Sequence, residues 1–209
     1  MHLNAHAVEE IVSITRTIYD RHADEYAAST GRLDQFPGLD VELDRFFDAL
    51  PDGVVLDLGC GAGRDSEHLA QRGATLVAGD LSGRLLRMTR ARCAPFGAVQ
   101  LDLLSLPFRA GTFAGVWACG SVLHVPARHH PRAFGEIHRV LLPGGVAAIS
   151  LKEGDHEDWV RGGRLSFPRW FSLRRPTTVV AELEAVGFTS VRALPSGRGT
   201  WFVVEALRG

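Results

Sequence analysis

The chain has 209 residues, of which 45% are hydrophobic and 22% are charged, and its formal net charge is −1. This composition is typical of one soluble globular domain that is long enough to bury a full core. A protein that binds nucleic acid over a large area carries an excess of basic residues, so the balanced charge argues against a nucleic-acid partner.

The sequence shows no feature of a membrane or secreted protein. No apolar stretch reaches the roughly 18 residues that a transmembrane helix needs, so we expect no membrane partner. Residues 1–20 lack the basic segment and apolar core of a signal peptide. The cysteines are Cys60, Cys93 and Cys119, and no two of them form a CxxC pair. We therefore expect a cytoplasmic protein with reduced thiols and no metal site.

The first part of the chain alternates helical patterns with short apolar runs. Helical patterns around residues 6–28 and 40–50 predict an N-terminal helical cap. From residue 53 onward, short apolar runs separated by helical patterns are typical of βαβ units. These runs predict strands at residues 53–58, 74–80, 97–102, 113–120 and 145–151.

The pattern changes after the fifth strand. Residues 152–175 are polar, aromatic and irregular, and they predict a loop. A helix from Pro176 and two further strands, at residues 188–194 and 200–207, follow it. Only "PSGRG" separates those strands, which predicts a hairpin. The fold class is therefore α/β, a doubly wound seven-stranded sheet, mostly parallel, with an antiparallel last strand and the N-terminal helical cap.

The stretch "VVLDLGCGAGRD", residues 54–65, breaks from an apolar run into glycines on alternate positions. A glycine-rich turn between a first strand and a helix lets a ligand approach the bare backbone. The dinucleotide fingerprint GxGxxG needs its third glycine where Arg64 stands, so the loop alone does not identify the ligand.

Acidic residues close the first three strands. Asp57, Asp80 and Asp102 end successive predicted strands, and the carboxyl ends of such strands share one rim of the sheet. An acid after the second strand can accept hydrogen bonds from ribose hydroxyls. Each acid alone could simply cap the next helix, but the three together predict a nucleoside-binding rim.

Five segments cover roughly residues 53–151 in order: "VVLDLGCGAGRD", "VAGDLS", "VQLDLLSLPF", "FAGVWACGSVLHVP" and "IHRVLLPGGVAAIS". Together they resemble the class I S-adenosylmethionine-dependent methyltransferases, of the bacterial small-molecule type. The resemblance implies S-adenosylmethionine as methyl donor, S-adenosylhomocysteine as product, and no metal. It also implies one methyltransferase domain over residues 1–209: a cap (1–50), a cofactor-binding core (51–151), and an acceptor loop with a C-terminal hairpin (152–209).

The resemblance further implies which residues contact the donor. They are Tyr19, Tyr26, Asp57, Gly59, Cys60, Gly61, Asp80, Leu81, Asp102, Leu103, Cys119 and Gly120. In the family pattern the glycine loop packs on the methionine part, and Asp57 orients its amino group. Asp80 holds the ribose, Asp102 faces the adenine amino group, and the leucine after each packs nearby. The backbone at Cys119 and Gly120 borders the sulfonium, and the two tyrosines close over the donor, although packing of the cap alone would also explain them.

His124, in "SVLHVP" after the fourth strand, is the candidate catalytic residue. A histidine titrates near neutral pH and could act as general base, while the alternative is that it only lines the pocket. The strand end reads "ACGS" and lacks the [DN]PP[YF] motif of enzymes that methylate amino groups of nucleic-acid bases. No acid occurs between Phe113 and Arg132, so the cation ligands of catechol-type enzymes are missing.

Residues 152–175 hold six basic residues against four acids, with several aromatic residues. One interpretation is a solvated loop with aromatic anchors. The other is a lid that sandwiches a planar or apolar acceptor and pairs an arginine with its carboxylate or phosphate. The expected acceptor-binding residues are Trp159, Arg161, Arg164 and Trp170.

The sequence therefore predicts an S-adenosylmethionine-dependent methyltransferase that acts on an oxygen or nitrogen of a small-molecule metabolite, natural products included. Three alternatives stay open: a methyltransferase for tRNA or another macromolecule, a nicotinamide-dependent oxidoreductase, and a non-catalytic cofactor-binding protein. The acceptor, the atom methylated and the oligomeric state are not determined by these patterns.

Overall fold

The computed structural model describes the backbone of residues 5–209 and the side chains of residues 8–209. Its α-helices are α1 (Ala5–Arg21), α2 (Ala23–Thr30), α3 (Leu39–Asp48), α4 (Arg64–Gln71), α5 (Gly83–Cys93), α6 (His130–Val140) and α7 (Pro176–Ala185). Its strands are β1 (Val54–Leu58), β2 (Thr75–Asp80), β3 (Gly97–Gln100), β4 (Phe113–Cys119), β5 (Leu141–Lys152), β6 (Glu157–Gly162), β7 (Leu165–Ser172), β8 (Phe188–Pro195) and β9 (Trp201–Arg208). Among the described residues, no helix combines the length and apolarity needed to cross a membrane.

The main sheet has seven strands in the order β3-β2-β1-β4-β5-β9-β8. β1 pairs in parallel with β2 and with β4, whereas β9 pairs antiparallel with both β5 and β8. The predicted doubly wound sheet with its antiparallel last strand is therefore confirmed. The strand order reverses between β1 and β4, and this reversal opens a crevice at the carboxyl ends of the two strands.

The two faces of the sheet pack against different helices because successive residues of a strand point to opposite sides. In β1, Leu56 packs in one cluster with Phe134 of α6, whereas its neighbour Val55 packs in another with Phe46 of α3. The ring of Trp117 in β4 is 1% exposed and lies 5.3 Å from that of Phe46. With both faces covered, a ligand can reach the sheet at its carboxyl edge.

The N-terminal cap closes one side of that edge. Asp20 at the end of α1 accepts a hydrogen bond from Ser82 Oγ at 2.6 Å and another from the Arg84 backbone N–H at 3.0 Å. A carboxylate is favourable there because the first N–H groups of α5 have no partner within the helix. The cap thus consists of α1, α2 and α3, and residues 1–4 of the predicted cap lie outside the described residues.

The prediction of an irregular loop over residues 152–175 is wrong. β6 and β7 form an antiparallel hairpin, and its turn has positive φ at Gly162 (98°) and Gly163 (77°). Leu165 and Phe167 are buried while Ser166 between them is exposed, which is the alternation of a strand covered on one face. In the sequence, the two adjacent glycines indicate the turn of a hairpin. The mixed charges of the flanking residues obscure the alternation that would indicate its strands.

Candidate active site

A cleft opens under the cap at the carboxyl ends of β1, β2 and β4. Its empty volume, which includes the solvent at its mouth, is about 690 Å³. The predicted residues that line it are Tyr19, Tyr26, Gly59, Gly61, Asp80, Leu81, Asp102, Leu103, Cys119, Gly120 and His124. Val12 and Thr15 line it too and were not predicted, although their helical spacing places them on the face of α1 that carries Tyr19.

The glycine loop after β1 needs bare backbone for its own packing. Gly59 and Gly61 have φ of 85° and 56°. A Cβ atom on Gly59 would lie 2.3 Å from Ser121 Cβ, and one on Gly61 would lie 2.9 Å from the Tyr26 ring. The close approach of the β4 end and of the cap to this loop therefore excludes a side chain at either position.

The amides of this loop are already used inside the protein. The Gly59 N–H donates to the Gly79 carbonyl at 2.7 Å. The Gly61 N–H donates to Asp80 Oδ2 at 2.8 Å. In dinucleotide-binding proteins the corresponding N–H groups bind the pyrophosphate. In this protein the N–H groups of Gly59 and Gly61 are not available to a phosphate group, which argues against the nicotinamide alternative.

Two carboxylates face the cleft. The oxygens of Asp80 accept hydrogen bonds from the N–H groups of Gly61 and Ser82, each at 2.8 Å. Burial raises the pKa of Asp80 to about 6, although these hydrogen bonds favour its ionised form. β3 ends at Gln100, so Asp102 lies two residues beyond the strand, where it accepts from the Leu104 N–H at 2.9 Å. Each carboxylate keeps lone pairs for a ligand in the cleft.

Three elements that are distant in the sequence meet at His124. Tyr19 Oη lies 2.9 Å from His124 Nε2, and His124 Nδ1 lies 2.6 Å from the Trp170 carbonyl oxygen. A carbonyl only accepts, so Nδ1 carries the proton and Nε2 accepts the hydrogen bond that Tyr19 donates. Burial lowers the pKa of His124 to about 4 and raises that of Tyr19 well above its usual value. Both groups are therefore neutral near pH 7.

The second tyrosine of the cap also lies over the cleft. Tyr26 is on α2, and its ring meets that of Tyr19 on α1 edge to face, with 5.4 Å between centroids. Burial raises the pKa of Tyr26 to about 12. The two rings thus pack on each other and line the cavity at once, so cap packing and donor contact are compatible roles.

Two residues predicted to bind the donor, Asp57 and Cys60, do not line the cleft. Asp57 is 1% exposed and accepts a hydrogen bond from Ser66 Oγ at 2.5 Å. Burial raises the pKa of Asp57 well above its usual range, and the charge of Asp65 adds to the rise. The Cys60 sulfur lies 3.5 Å from Thr89 Oγ1. Both side chains lie behind the cleft wall, because they point into the packing between sheet and helices, and a role of Asp57 through water stays a prediction.

An outer chamber adjoins the cleft beneath the β6–β7 hairpin. It has an empty volume of about 1,490 Å³ and shares Tyr19, Tyr26, Gly120 and His124 with the cleft. Two of the predicted acceptor-binding residues, Arg161 and Arg164, line it. Its lining also includes Lys152, Arg169, Phe171, Arg198 and Trp201, which were not predicted.

The rings of Trp159 and Trp170 line neither cavity. The hairpin register pairs the two residues, and their ring centroids lie 5.8 Å apart. Arg169 and Phe171 flank Trp170 in β7, so they point to the opposite face, into the chamber. The expectation that the side chains of Trp159 and Trp170 bind the acceptor is corrected accordingly. The alternation of a strand, which a loop lacks, turns these rings away, and the Trp170 carbonyl reaches His124 instead.

A family profile matches the cofactor-binding part of the chain. The profile described as a methyltransferase domain matches residues 55–145, from β1 with its glycine loop to the beginning of β5. These residues belong to the methyltransferase domain family, and the fold of the chain is that of the class I S-adenosylmethionine-dependent methyltransferases.

Two curated relatives illustrate this family membership. The methyltransferase GfsG of Streptomyces halstedii is 37% identical over 103 residues, 46% of this chain and 36% of that protein. A malonyl-[acyl-carrier protein] O-methyltransferase of Herminiimonas arsenicoxydans is 36% identical over 179 residues, 83% of this chain and 66% of that protein. The chain spans less than half the length of the first curated relatives that it matches.

Solved structures share the fold of this chain. One is the 1,6-didemethyltoxoflavin-N1-methyltransferase of Burkholderia thailandensis, with bound 1,6-didemethyltoxoflavin and S-adenosylhomocysteine. It is 19% identical, with a TM-score of 0.71 over 100% of this chain and 93% of that one. At this identity the likeness concerns the fold alone. Among the side chains that the structure describes here, no three His, Cys, Asp or Glu residues gather as a metal site requires.

Proposed function

We propose that this methyltransferase transfers the methyl group of S-adenosylmethionine to an oxygen or nitrogen atom of a small-molecule metabolite. The observation that carries the proposal is that the two cavities adjoin, because the cleft and the outer chamber share Gly120 and His124. A donor in the cleft and an acceptor in the chamber would meet there. Related proteins are named for O-methylation of malonyl-[acyl-carrier protein] and for N1-methylation of 1,6-didemethyltoxoflavin, so both atom types occur among them.

The cleft fits S-adenosylmethionine on features of this structure. Asp80 would accept hydrogen bonds from the ribose hydroxyls, and Asp102 would accept from the adenine amino group. The glycine loop supplies a wall without side chains for the methionine part. Leu81 and Leu103 line the same cavity and supply apolar surface near the adenine. When bound, the donor supplies a methyl group on a positively charged sulfur, which is a strong electrophile.

The protein's part in the reaction is chiefly positioning. Holding two reactants in line can lower a barrier by roughly 7–11 kcal/mol. The chain of hydrogen bonds from Tyr19 through His124 to the Trp170 carbonyl links the cap to the hairpin where the two cavities adjoin. Because both His124 nitrogens are engaged, we propose that His124 positions Tyr19 and the hairpin. Its predicted role as general base requires Tyr19 to release Nε2.

The division of labour follows the three parts of the domain. Residues 1–50 cover the site, residues 51–151 hold the donor, and residues 152–209 supply most of the acceptor wall. This division is supported by the cavities, since the cleft is lined mainly from residues 51–151 and the chamber mainly from residues 152–209.

Calorimetry tests the donor half of the proposal. The purified chain is titrated with S-adenosylhomocysteine, NADH and NADPH. We expect S-adenosylhomocysteine to bind and the two nicotinamide dinucleotides not to bind, because the amides of Gly59 and Gly61 are engaged internally. Binding of a nicotinamide dinucleotide alone would overturn the proposal.

Transfer of a labelled methyl group tests the acceptor half. The enzyme is incubated with labelled donor and, separately, with a small-molecule extract, a tRNA pool and total protein. Label in the small-molecule fraction supports the proposal. Label confined to tRNA or protein assigns a macromolecular acceptor and overturns it.

A further inference from the structure

The charged side chains that line the outer chamber are basic among the residues that the structure describes. Its cations are Arg64, Lys152, Arg161, Arg164, Arg169 and Arg198. Among the described residues that line it, none is an aspartate or a glutamate. A concave wall of one charge sign focuses the electrostatic field and concentrates ligands of the opposite sign. The chamber is therefore complementary to an anion.

Two of these cations are neutralised by acids outside the chamber. Arg64 forms an ion pair with Asp65 at 2.6 Å, and Arg198 forms one with Glu42 at 2.5 Å. The others have no carboxylate partner among the residues that the structure describes: Lys152, Arg161, Arg164 and Arg169. Their charge is left for a ligand to balance.

Arg169 is the cation of this set with an unsatisfied donor inside the wall. Its Nε is buried and has no hydrogen-bond partner among the described residues. Its Nη2 donates to the Gly162 carbonyl at 2.8 Å, and its guanidinium lies over the Phe171 ring at 5.1 Å. A buried donor without an acceptor lowers stability, and an anion bound here would satisfy it with a charge-assisted hydrogen bond.

Arg169 lines the chamber together with Tyr19 and His124, which also line the cleft. Burial is the main cause of the low pKa of His124, and the charge of Arg169 lowers that pKa further. The same charge offsets part of the effect of burial on the pKa of Tyr19. A ligand held by Arg169 would therefore lie next to His124 and Tyr19, where the donor cleft begins.

The groups where the two cavities adjoin are poorly suited to accept a proton. His124 donates from Nδ1 and accepts from Tyr19 at Nε2, and the described part of the chamber lining contains no carboxylate. His156, the other histidine of the lining, is exposed and does not line the cleft. A nucleophile that arrives already deprotonated needs no general base.

We infer that the acceptor is an oxyanion, a carboxylate or a phosphate group, held by Arg169 with Lys152 and Arg161, and that one of its oxygens is methylated. The inference rests on the proposed function. In the step, a lone pair of the anionic oxygen forms the new O–C bond while the methyl C–S bond breaks, and that electron pair stays on sulfur. The oxyanion loses one negative charge, the sulfonium becomes a neutral thioether, and no proton is transferred.

Binding of simple probes tests the charge preference. Protein saturated with S-adenosylhomocysteine is titrated with benzoate, phenyl phosphate, benzamide and benzylamine, which share one ring. We expect at least one of the two anions to bind at least about tenfold more tightly than benzamide, and added salt to weaken that binding. Equal or tighter binding of benzamide or benzylamine would overturn the inference.

Charge variants test which residues hold the anion. Arg169→Gln is expected to weaken binding of the preferred anion about tenfold or more while the affinity for S-adenosylhomocysteine stays unchanged. Arg169→Lys should retain part of the anion affinity. The matched control is Arg87→Gln, the same charge change at an exposed position of α5 outside the lining. Equal anion affinity in Arg169→Gln and Arg87→Gln would contradict the assignment.

A loss of S-adenosylhomocysteine binding in Arg169→Gln would indicate a damaged fold. Lys152→Gln and Arg161→Gln then take its place, since neither side chain has a buried unsatisfied atom. Each should weaken anion binding by about two- to fivefold, and no weakening in either overturns the inference. Failure of S-adenosylhomocysteine to bind the unmodified chain contradicts the proposed function, whereas a reversed probe order contradicts this inference alone.

The labelled product distinguishes the two oxyanions. The enzyme is incubated with labelled donor and a small-molecule extract, and the product is treated with mild alkali. A carboxylate methyl ester releases labelled methanol, whereas a methylated phosphate retains the label and stays anionic. Label in an amine product overturns the inference and leaves the proposed function standing.

Discussion

The donor cleft and the outer chamber differ in how their polar groups are satisfied. In the cleft, the Gly61 N–H and both oxygens of Asp80 are hydrogen-bonded within the protein. In the chamber, Arg161 and Arg169 have no acidic partner among the described residues. Groups that are already fixed bind a ligand with little reorganisation, whereas uncompensated charge selects a ligand by its sign. The cleft therefore presents polar groups that the protein already holds in place, whereas the chamber presents uncompensated positive charge.

The two regions also differ in where their residues come from. The glycine loop and the rim acids follow consecutive strands of one βαβ series. The chamber combines the cap, the end of β5, the hairpin and the segment before β9, which carries Arg198. Substitutions in the cleft should therefore change donor affinity, and substitutions around the chamber should change acceptor affinity or turnover.

The largest effect is expected for Gly59→Ala. The new Cβ would lie 2.3 Å from Ser121 Cβ, and φ of 85° strains any other residue. We expect S-adenosylhomocysteine affinity to fall at least about 100-fold. Calorimetry measures the affinity, and thermal unfolding measures the loss of stability.

The matched control for this variant is Gly73→Ala. Gly73 has φ of 98°, but an added Cβ there meets nothing within 4 Å. An alanine at position 73 therefore has the backbone strain without the clash. Gly73 follows the C-terminal end of α4, whereas Gly59 lies in the loop before its N-terminal end. If the two variants lose equal affinity, strain alone explains the result and the close approach at Gly59 has no special role.

Asp80→Asn should weaken S-adenosylhomocysteine binding about tenfold at pH 8. Because the pKa of Asp80 is raised to about 6, the wild-type carboxyl is ionised at pH 8 and mostly protonated at pH 5. Wild-type affinity should therefore decrease as the pH falls through about 6, and the variant should lack this step. Titrations across that range measure it, and an identical step in both proteins assigns the step to another group.

The Asp80→Asn substitution should lower ligand affinity but raise the free energy of unfolding. A carboxyl whose pKa is raised on folding contributes stability below its unfolded pKa, and that contribution is lost as the pH rises through the folded value. Relative to the wild type, Asp80→Asn should therefore gain stability between about pH 4 and pH 8. Urea unfolding at both ends of the range checks the sign, and a relative loss of stability at pH 8 would contradict it.

His124→Gln should lower turnover about tenfold while S-adenosylhomocysteine affinity changes less than about threefold. The substitution disturbs the link between Tyr19 and the Trp170 carbonyl, which lies at the border of the two cavities. The pH profile separates the possible roles. If His124 is a positioning residue, the variant has a lower turnover at every pH but the same inflections in its pH profile. Loss of an inflection in the variant would identify His124 as the general base.

The smallest effect is expected for Glu25→Ala. Glu25 of α2 accepts hydrogen bonds from the N–H and Oγ of Ser166, at 2.7 and 2.9 Å, and so holds β7 to the cap at an exposed position. Acceptor affinity should change by less than about threefold, with donor affinity unchanged. Amide exchange of the hairpin should become faster than in the control Glu184→Ala on α7. Unchanged exchange would show that Glu25 does not restrain the hairpin.

Most of the donor cleft could be predicted because its signals are local. Asp80 follows an apolar run, and Gly59 and Gly61 follow another, so the common edge of parallel strands brings them together. The side-chain direction of Asp57 could not be read in this way. It depends on Ser66 and on the packing behind the sheet, and only the folded chain shows that Asp57 lies outside the cleft.

The acceptor side was less predictable because its contacts are long-range. Tyr19 and His124 are 105 residues apart in the sequence and share one hydrogen bond. The Trp170 backbone, and not its ring, completes that network. No local pattern indicates a contact between a cap residue, a strand end and a hairpin carbonyl, since such contacts form only when the elements pack.

By itself the sequence determined the sheet, the glycine loop and the rim acids, because strand alternation and glycine conformation act over a few residues. The tertiary structure alone decided which hairpin residues face the chamber. The turn at Gly162 and Gly163 sets the register of β6 and β7, and a shift of one residue would exchange the two faces. That register turns Arg169 into the chamber and the buried Trp170 ring to the other face of the hairpin, and so gives the chamber its charge.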